Sequence, residues 1–185
     1  MTLSWLKSLQ LTRFSRPRSD RMIYRAIARH RPQSIVEMGL GLAERSAAMI
    51  QLGQRYDRTG EFKYAGLDLF EGRNQQTPGI TLKRAHRTLG KLHAAVQLFP
   101  GDPCQSLALR GNLLLKTDLI VVDLLESPGI LERLWGPLLK LVHAGSHVYV
   151  KQRSRETQQR HFQLVGIDEL NQRVEESGVP QRRAA

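Results

Sequence analysis

Four acidic residues stand at or just past the ends of short apolar runs: Glu37 after Ser34-Ile35-Val36, Asp68 after Tyr64-Ala65-Gly66-Leu67, Asp102 beyond Phe99-Pro100-Gly101, and Asp123 after Leu119-Ile120-Val121-Val122. Carboxylates in such places can accept hydrogen bonds from a ligand's hydroxyls, take a proton, or simply cap the helix that follows. Each therefore has a purely structural reading when taken singly. The first comes with glycines, Glu37-Met38-Gly39-Leu40-Gly41-Leu42-Ala43, and helix-like sequence follows at once from Glu44 to Ile50. Glycines let the chain turn tightly and let a ligand approach the backbone, and free N–H groups at a helix start make a positive, polar end. The combination suits a nucleotide-type ligand, provided a parallel sheet brings the four ends to one edge.

The elements that would do this alternate along the chain. Strands are expected over 34–38, 64–70, 94–99, 117–124 and 147–150, with 161–165 as a sixth. Helices are expected over 44–56, 81–91, 104–111, 130–143 and 168–177. The run Leu119-Ile120-Val121-Val122 has no polar alternation, as in a strand covered on both faces. Gly136-Pro137 is expected to bend or interrupt its helix. Asp20 is expected to cap a helix over 21–30, which Pro32 ends. Repeated βαβ units predict a doubly wound, mainly parallel α/β sheet of five to seven strands, with ligands at the carboxyl ends of the strands.

At 185 residues the chain suits one principal domain, which we place at 34–165. It is flanked by a basic helical segment, 1–33, and by a C-terminal helix and frayed tail, 166–185. The net charge of +11 is concentrated in that first segment, where eight bases accompany the single acid Asp20. An arginine-rich, amphipathic start fits a presequence, a membrane-surface helix, a nucleic-acid arm or a solvated helix docked by its leucines. A single cysteine, Cys104, excludes an internal disulfide and fits a reducing, cytoplasmic setting. No stretch approaches the ~20 apolar residues of a membrane span.

The ligand can be narrowed. A dinucleotide fingerprint needs a small residue at position 44, where Glu44 stands, and no Gly-Lys-Ser/Thr follows to make a phosphate loop. A ligand offering ribose hydroxyls and a cationic amino-acid end suits acidic strand ends better. Here the residues resemble a family, the class I S-adenosylmethionine-dependent methyltransferases of Rossmann-like fold. Glu37-Met38-Gly39-Leu40-Gly41-Leu42-Ala43 is similar to the first motif, with Ala43 in place of the last glycine; Gly66-Leu67-Asp68-Leu69 to the second; Pro100-Gly101-Asp102-Pro103 to the third; and residues 119–124 to the fourth. The resemblance implies S-adenosylmethionine as cofactor, held by Glu37, Gly39, Leu40, Gly41, Asp68, Leu69, Asp102, Pro103 and Asp123. Within it, Asp68 would bind the ribose and Asp102 would lie beside the adenine amino group.

Methyl transfer is an in-line displacement that requires mainly alignment in a dry pocket, with a base where the acceptor must lose a proton. Asp123 is the candidate base, and an alternative role is as a metal ligand in the manner of some O-methyltransferases. Lys151 is the second candidate catalytic residue, because ribose-directed RNA methyltransferases pair a lysine near that place with the fourth-motif acid. The six histidines show no metal-ligand spacing, and no metal is expected. The signature of amino-directed enzymes is absent after Asp123, and the part following the fifth strand is shorter than in the family. The reading is an enzyme with an unidentified, preferably small-molecule acceptor, O-directed transfer being compatible. The alternatives are an RNA methyltransferase guided by the basic segment, or a catalytically inactive binding protein.

Overall fold

The computed structural model describes residues 5–57, 59–74, 76–124, 129–154 and 157–177. Two helices, α1 (Trp5–Phe14) and α2 (Asp20–His30), precede the alternating part. That part runs β1 (Ser34–Met38), α3 (Glu44–Tyr56), β2 (Lys63–Asp68), α4 (Leu82–Leu89), β3 (Ala95–Pro100), α5 (Pro103–Arg110), β4 (Leu119–Val122), α6 (Ile130–Leu141), β5 (His147–Arg153), β6 (Arg160–Val165) and α7 (Ile167–Glu176). The six strands form one sheet in the order β3-β2-β1-β4-β5-β6, all parallel except β6, which runs antiparallel to β5.

This order has its switch point between β1 and β4, where strands to either side wind in opposite senses and leave a crevice at the carboxyl edge. The expected four-residue apolar strand is β4, and all four of its residues are buried. Two cores result. One lies between the sheet and α2–α4, holding Ile27, Ile35, Met49, Val121, Tyr149 and Phe162. The other lies against α5–α7, holding Met38, Leu67, Ile120, Val122, Leu138 and Leu170. Ile120 and Val121 are fully buried on opposite faces, each contributing on the order of 2 kcal/mol of apolar transfer energy. Among the described residues no helix is long and apolar enough to cross a membrane.

One expectation is corrected and another narrowed. Asp20 does not cap α2: it is the first helical residue, Ser19 precedes it without a side-chain cap, and the Asp20 carboxylate is buried 3.8 Å from the Arg45 guanidinium. A cation inside the core draws it away from the helix start. Helix α6 is not interrupted at Gly136-Pro137 and continues to Leu141. Proline removes one N–H from the ladder, and the burial of Leu134, Trp135, Leu138 and Leu141 holds the helix across the gap. The fifth strand also extends further than expected, so that Lys151 lies within β5. The tail beyond Ser177 lies outside the described residues.

Candidate active site at the carboxyl edge of the sheet

The glycine turn follows β1 directly. Gly39 has φ +83°, and a Cβ there would lie 2.1 Å from the Asp123 carbonyl oxygen, so only glycine lets β1 and the end of β4 pass this closely. The Gly39 N–H donates to the Leu67 carbonyl and the Asp123 N–H to the Met38 carbonyl, which pins the turn between its two neighbouring strands. Ala43, the residue that departs from the family pattern, has φ +62°, a left-handed conformation costing an alanine roughly 1 kcal/mol.

Beneath the turn lies a charged network. Glu37 is fully buried and accepts hydrogen bonds from Arg45 Nε at 2.8 Å, from Ser46 Oγ at 2.6 Å and from the Tyr64 hydroxyl. Burial pushes its carboxyl above the usual carboxylate range, and those three donors oppose the push. Burial pulls the Arg45 guanidinium down, but Glu37, Asp123 and Asp20 outweigh it and keep Arg45 above its ordinary range. Arg45 Nη1 donates to Asp123 Oδ2 at 2.7 Å, and Nη2 donates to the Gly39 carbonyl at 2.9 Å. Lys151 Nζ donates to the same Asp123 oxygen at 2.7 Å. The Phe162 ring lies 5.3 Å from Arg45 and 5.2 Å from Lys151, an aromatic face between two cations. Asp20 sits at the edge of this cluster, its carboxyl pushed up by burial and pulled back by Arg45 and Lys151.

On the other side of the turn, Asp68 is buried at the end of β2. Its Oδ2 accepts from the Leu40 N–H at 2.6 Å, its Oδ1 accepts from the Phe70 N–H at 2.9 Å, and Arg73 pairs with it. A Cβ on Gly79 would collide with the Arg73 guanidinium, so that glycine makes the room Arg73 occupies. Asp102 caps α5 by accepting from the Gln105 N–H at 3.1 Å and meets Arg133 at 3.2 Å.

A cavity of about 600 Å³ opens above these residues. Of the residues expected to form a site, Gly39, Gly41, Asp68, Leu69, Pro103 and Asp123 line it. Glu37 and Leu40 do not: Glu37 supports the turn from below, and Leu40 offers its N–H to Asp68. Lys151 reaches the cavity's edge through Asp123, and Asp102 shapes it through the start of α5. The geometry joins Asp123 to Lys151, as the sequence suggests, and adds two residues that sequence reasoning passes over. Arg45 links three carboxylates from inside the first turn of α3, and Arg73 takes the partner-accepting side of Asp68. No spacing rule marks either one. The only trace of Arg45 is an arginine among the small residues of a helix start that must face the core.

No family profile matches the chain, and no curated protein matches its sequence. Solved structures do match. The O-methyltransferase TomG from Streptomyces achromogenes, involved in tomaymycin synthesis and solved with S-adenosylmethionine, aligns at TM-score 0.58 and 15% identity over 92% of this chain and 75% of its own. CalS11, a TDP-rhamnose 3'-O-methyltransferase of calicheamicin biosynthesis, aligns at 0.57 and 16% identity over 97% and 89%. An O-methyltransferase from Bacillus cereus in complex with SAH aligns at 0.55 and 14% identity over 96% and 79%. The chain spans 62% of the length of a precorrin-6y C5,15-methyltransferase from Geobacter metallireducens, at 16% identity and a TM-score of 0.48. The first three likenesses, with the strand order, establish the fold: the chain has the α/β, Rossmann-like fold of class I methyltransferases.

Proposed function

We propose that the chain is an S-adenosylmethionine-dependent methyltransferase that binds its cofactor in the cavity at the carboxyl edge of the sheet. One observation carries the reading: six residues expected from their motifs alone line a single cavity of about 600 Å³, a size suited to a cofactor and a small acceptor. The cavity also fits the group chemically. A carboxylate oriented by two backbone N–H groups, Asp68, suits ribose hydroxyls, while the tight Gly39–Gly41 turn admits an extended amino-acid chain. When bound, S-adenosylmethionine supplies a methyl group on a positively charged sulfur.

The protein's part is to bind, orient and shield. Asp68 would hold the ribose end, and Arg73, which pairs with that carboxylate, would have to yield it to the ribose hydroxyls. Leu69 and Pro103, which line the cavity, would pack against the base. Arg45 ties Asp123 to the glycine turn, so that the reacting group and the turn move as one body. Asp123 accepts the acceptor's hydroxyl proton, or orients that hydroxyl, while Lys151 fixes the carboxylate. TomG and the TDP-rhamnose enzyme are named for O-methylation in small-molecule biosynthesis, and this favours a small hydroxylic acceptor. The single cysteine supports a cytoplasmic setting. Calorimetry with S-adenosylhomocysteine tests the reading. Wild-type protein is expected to bind it, and Asp68→Ala is expected to weaken binding at least about tenfold, the worth of one charge-assisted hydrogen bond. No binding by folded wild-type protein contradicts it.

A further inference from the structure

Positive charge gathers at one rim of this cavity. Side chains alternate along a strand, so Lys151 and Arg153 share the face of Tyr149 on β5. Across the antiparallel ladder Lys151 pairs with Phe162, and Arg153 pairs with Arg160. Tyr149 and Phe162 belong to the core beneath α2 and α3, so the two arginines continue that face beyond the end of the core. Both are exposed, and Arg160 lines the cavity. Like charges placed directly opposite weaken a ladder, yet two guanidinium groups on one rung can together donate to a tetrahedral anion.

The start of α2 adds to this charge. Helix α2 packs against β6, and Arg16 and Arg18, just before its first residue, are exposed. Asp20, the one acid in residues 1–33, is buried against Arg45.

We infer that the Arg153–Arg160 pair is a phosphate subsite, and that the methyl acceptor is a hydroxyl-bearing phosphate ester. Its phosphate rests at the rim of the β5–β6 ladder and its hydroxyl reaches Asp123 and Lys151. The identity of the occupant as an acceptor rests on the methyltransferase reading; the phosphate subsite does not. The same chemistry is offered by a free phosphorylated metabolite and by a polynucleotide strand, which would engage Arg16 and Arg18 as well.

The test titrates the full chain with inorganic pyrophosphate, with a short uridine oligonucleotide and, separately, with S-adenosylhomocysteine. Pyrophosphate is expected to bind in a salt-sensitive manner and to bind about tenfold more weakly to the Arg153→Ala/Arg160→Ala variant. Unchanged thermal stability of that variant shows that its fold is intact. An oligonucleotide that outbinds pyrophosphate, and loses that advantage on Arg16→Ala/Arg18→Ala, identifies the polynucleotide source. An oligonucleotide that binds no better identifies the free ester; either result sustains the subsite. Pyrophosphate binding that is absent, or equal in wild type and the double arginine variant, overturns it even where S-adenosylhomocysteine binds. Loss of S-adenosylhomocysteine binding with pyrophosphate binding intact overturns the methyltransferase reading and leaves the subsite standing.

Discussion

On the β1–β4–β5 side of the carboxyl edge, Asp123 is gripped by two cations carried on α3 and β5, and one of those cations also grips Glu37 beneath the turn. On the β2–β3 side backbone N–H groups share the work with a cation: Asp102 accepts from an N–H three residues away and meets Arg133, and Asp68 accepts from the N–H groups of Phe70 and Leu40 and pairs with Arg73. The residue types and their positions at strand ends are alike on both sides. What differs is whether backbone N–H groups or side chains alone hold each carboxylate. A carboxylate satisfied by its own helix start, as Asp102 is, costs little to build and implies little about chemistry. One satisfied by side chains from distant elements is placed only once the sheet has formed, and it holds those elements in a fixed relation.

The contrast can be broken most severely at Arg45. Replacing it with methionine leaves Glu37 fully buried with no cation, frees Asp20 and leaves Asp123 to Lys151. Loss of one partner from a buried ion cluster is expected to cost about 3–5 kcal/mol, read as a large drop in urea midpoint at unchanged slope. Gly39→Ala acts on the same side by steric means. The new methyl meets the Asp123 carbonyl in a conformation alanine disfavours, and roughly 3 kcal/mol of destabilisation is expected from denaturant melts. The β3 end should respond far less. Asp102→Ala removes a helix cap and a pair to the largely exposed Arg133, so about 1 kcal/mol of stability should be lost. Calorimetry on the same variant should find its affinity for S-adenosylhomocysteine little changed. A loss as large as that expected for Asp68→Ala would place Asp102 against the ligand instead.

Much of this architecture was legible in the residues. The unbroken apolar run of β4 and the glycines after β1 pointed to a doubly wound sheet, because burial on both faces and tight turning each restrict residue type strongly. The candidate site was legible to the same depth: Gly39, Gly41, Asp68 and Asp123 are local signals, and they converge on one cavity. Arg45 was not, since its significance comes from a partner 78 residues away; Arg73 was not, since nothing in the polar loop that carries it marks it as the partner of Asp68. Asp20 misled for a related reason. An acid before a helical run reads as a cap, and only the buried guanidinium of Arg45 explains why its carboxylate turns inward.

The central claim is that the glycine turn and Asp68 together receive an adenosyl amino acid. A crystal structure of the protein with S-adenosylhomocysteine tests it most directly. The account predicts the ribose hydroxyls on Asp68, with Arg73 displaced from that carboxylate, and the amino-acid end along Gly39–Gly41. A nucleoside bound elsewhere, or an Arg73–Asp68 pair that persists beside an occupied cavity, would contradict it.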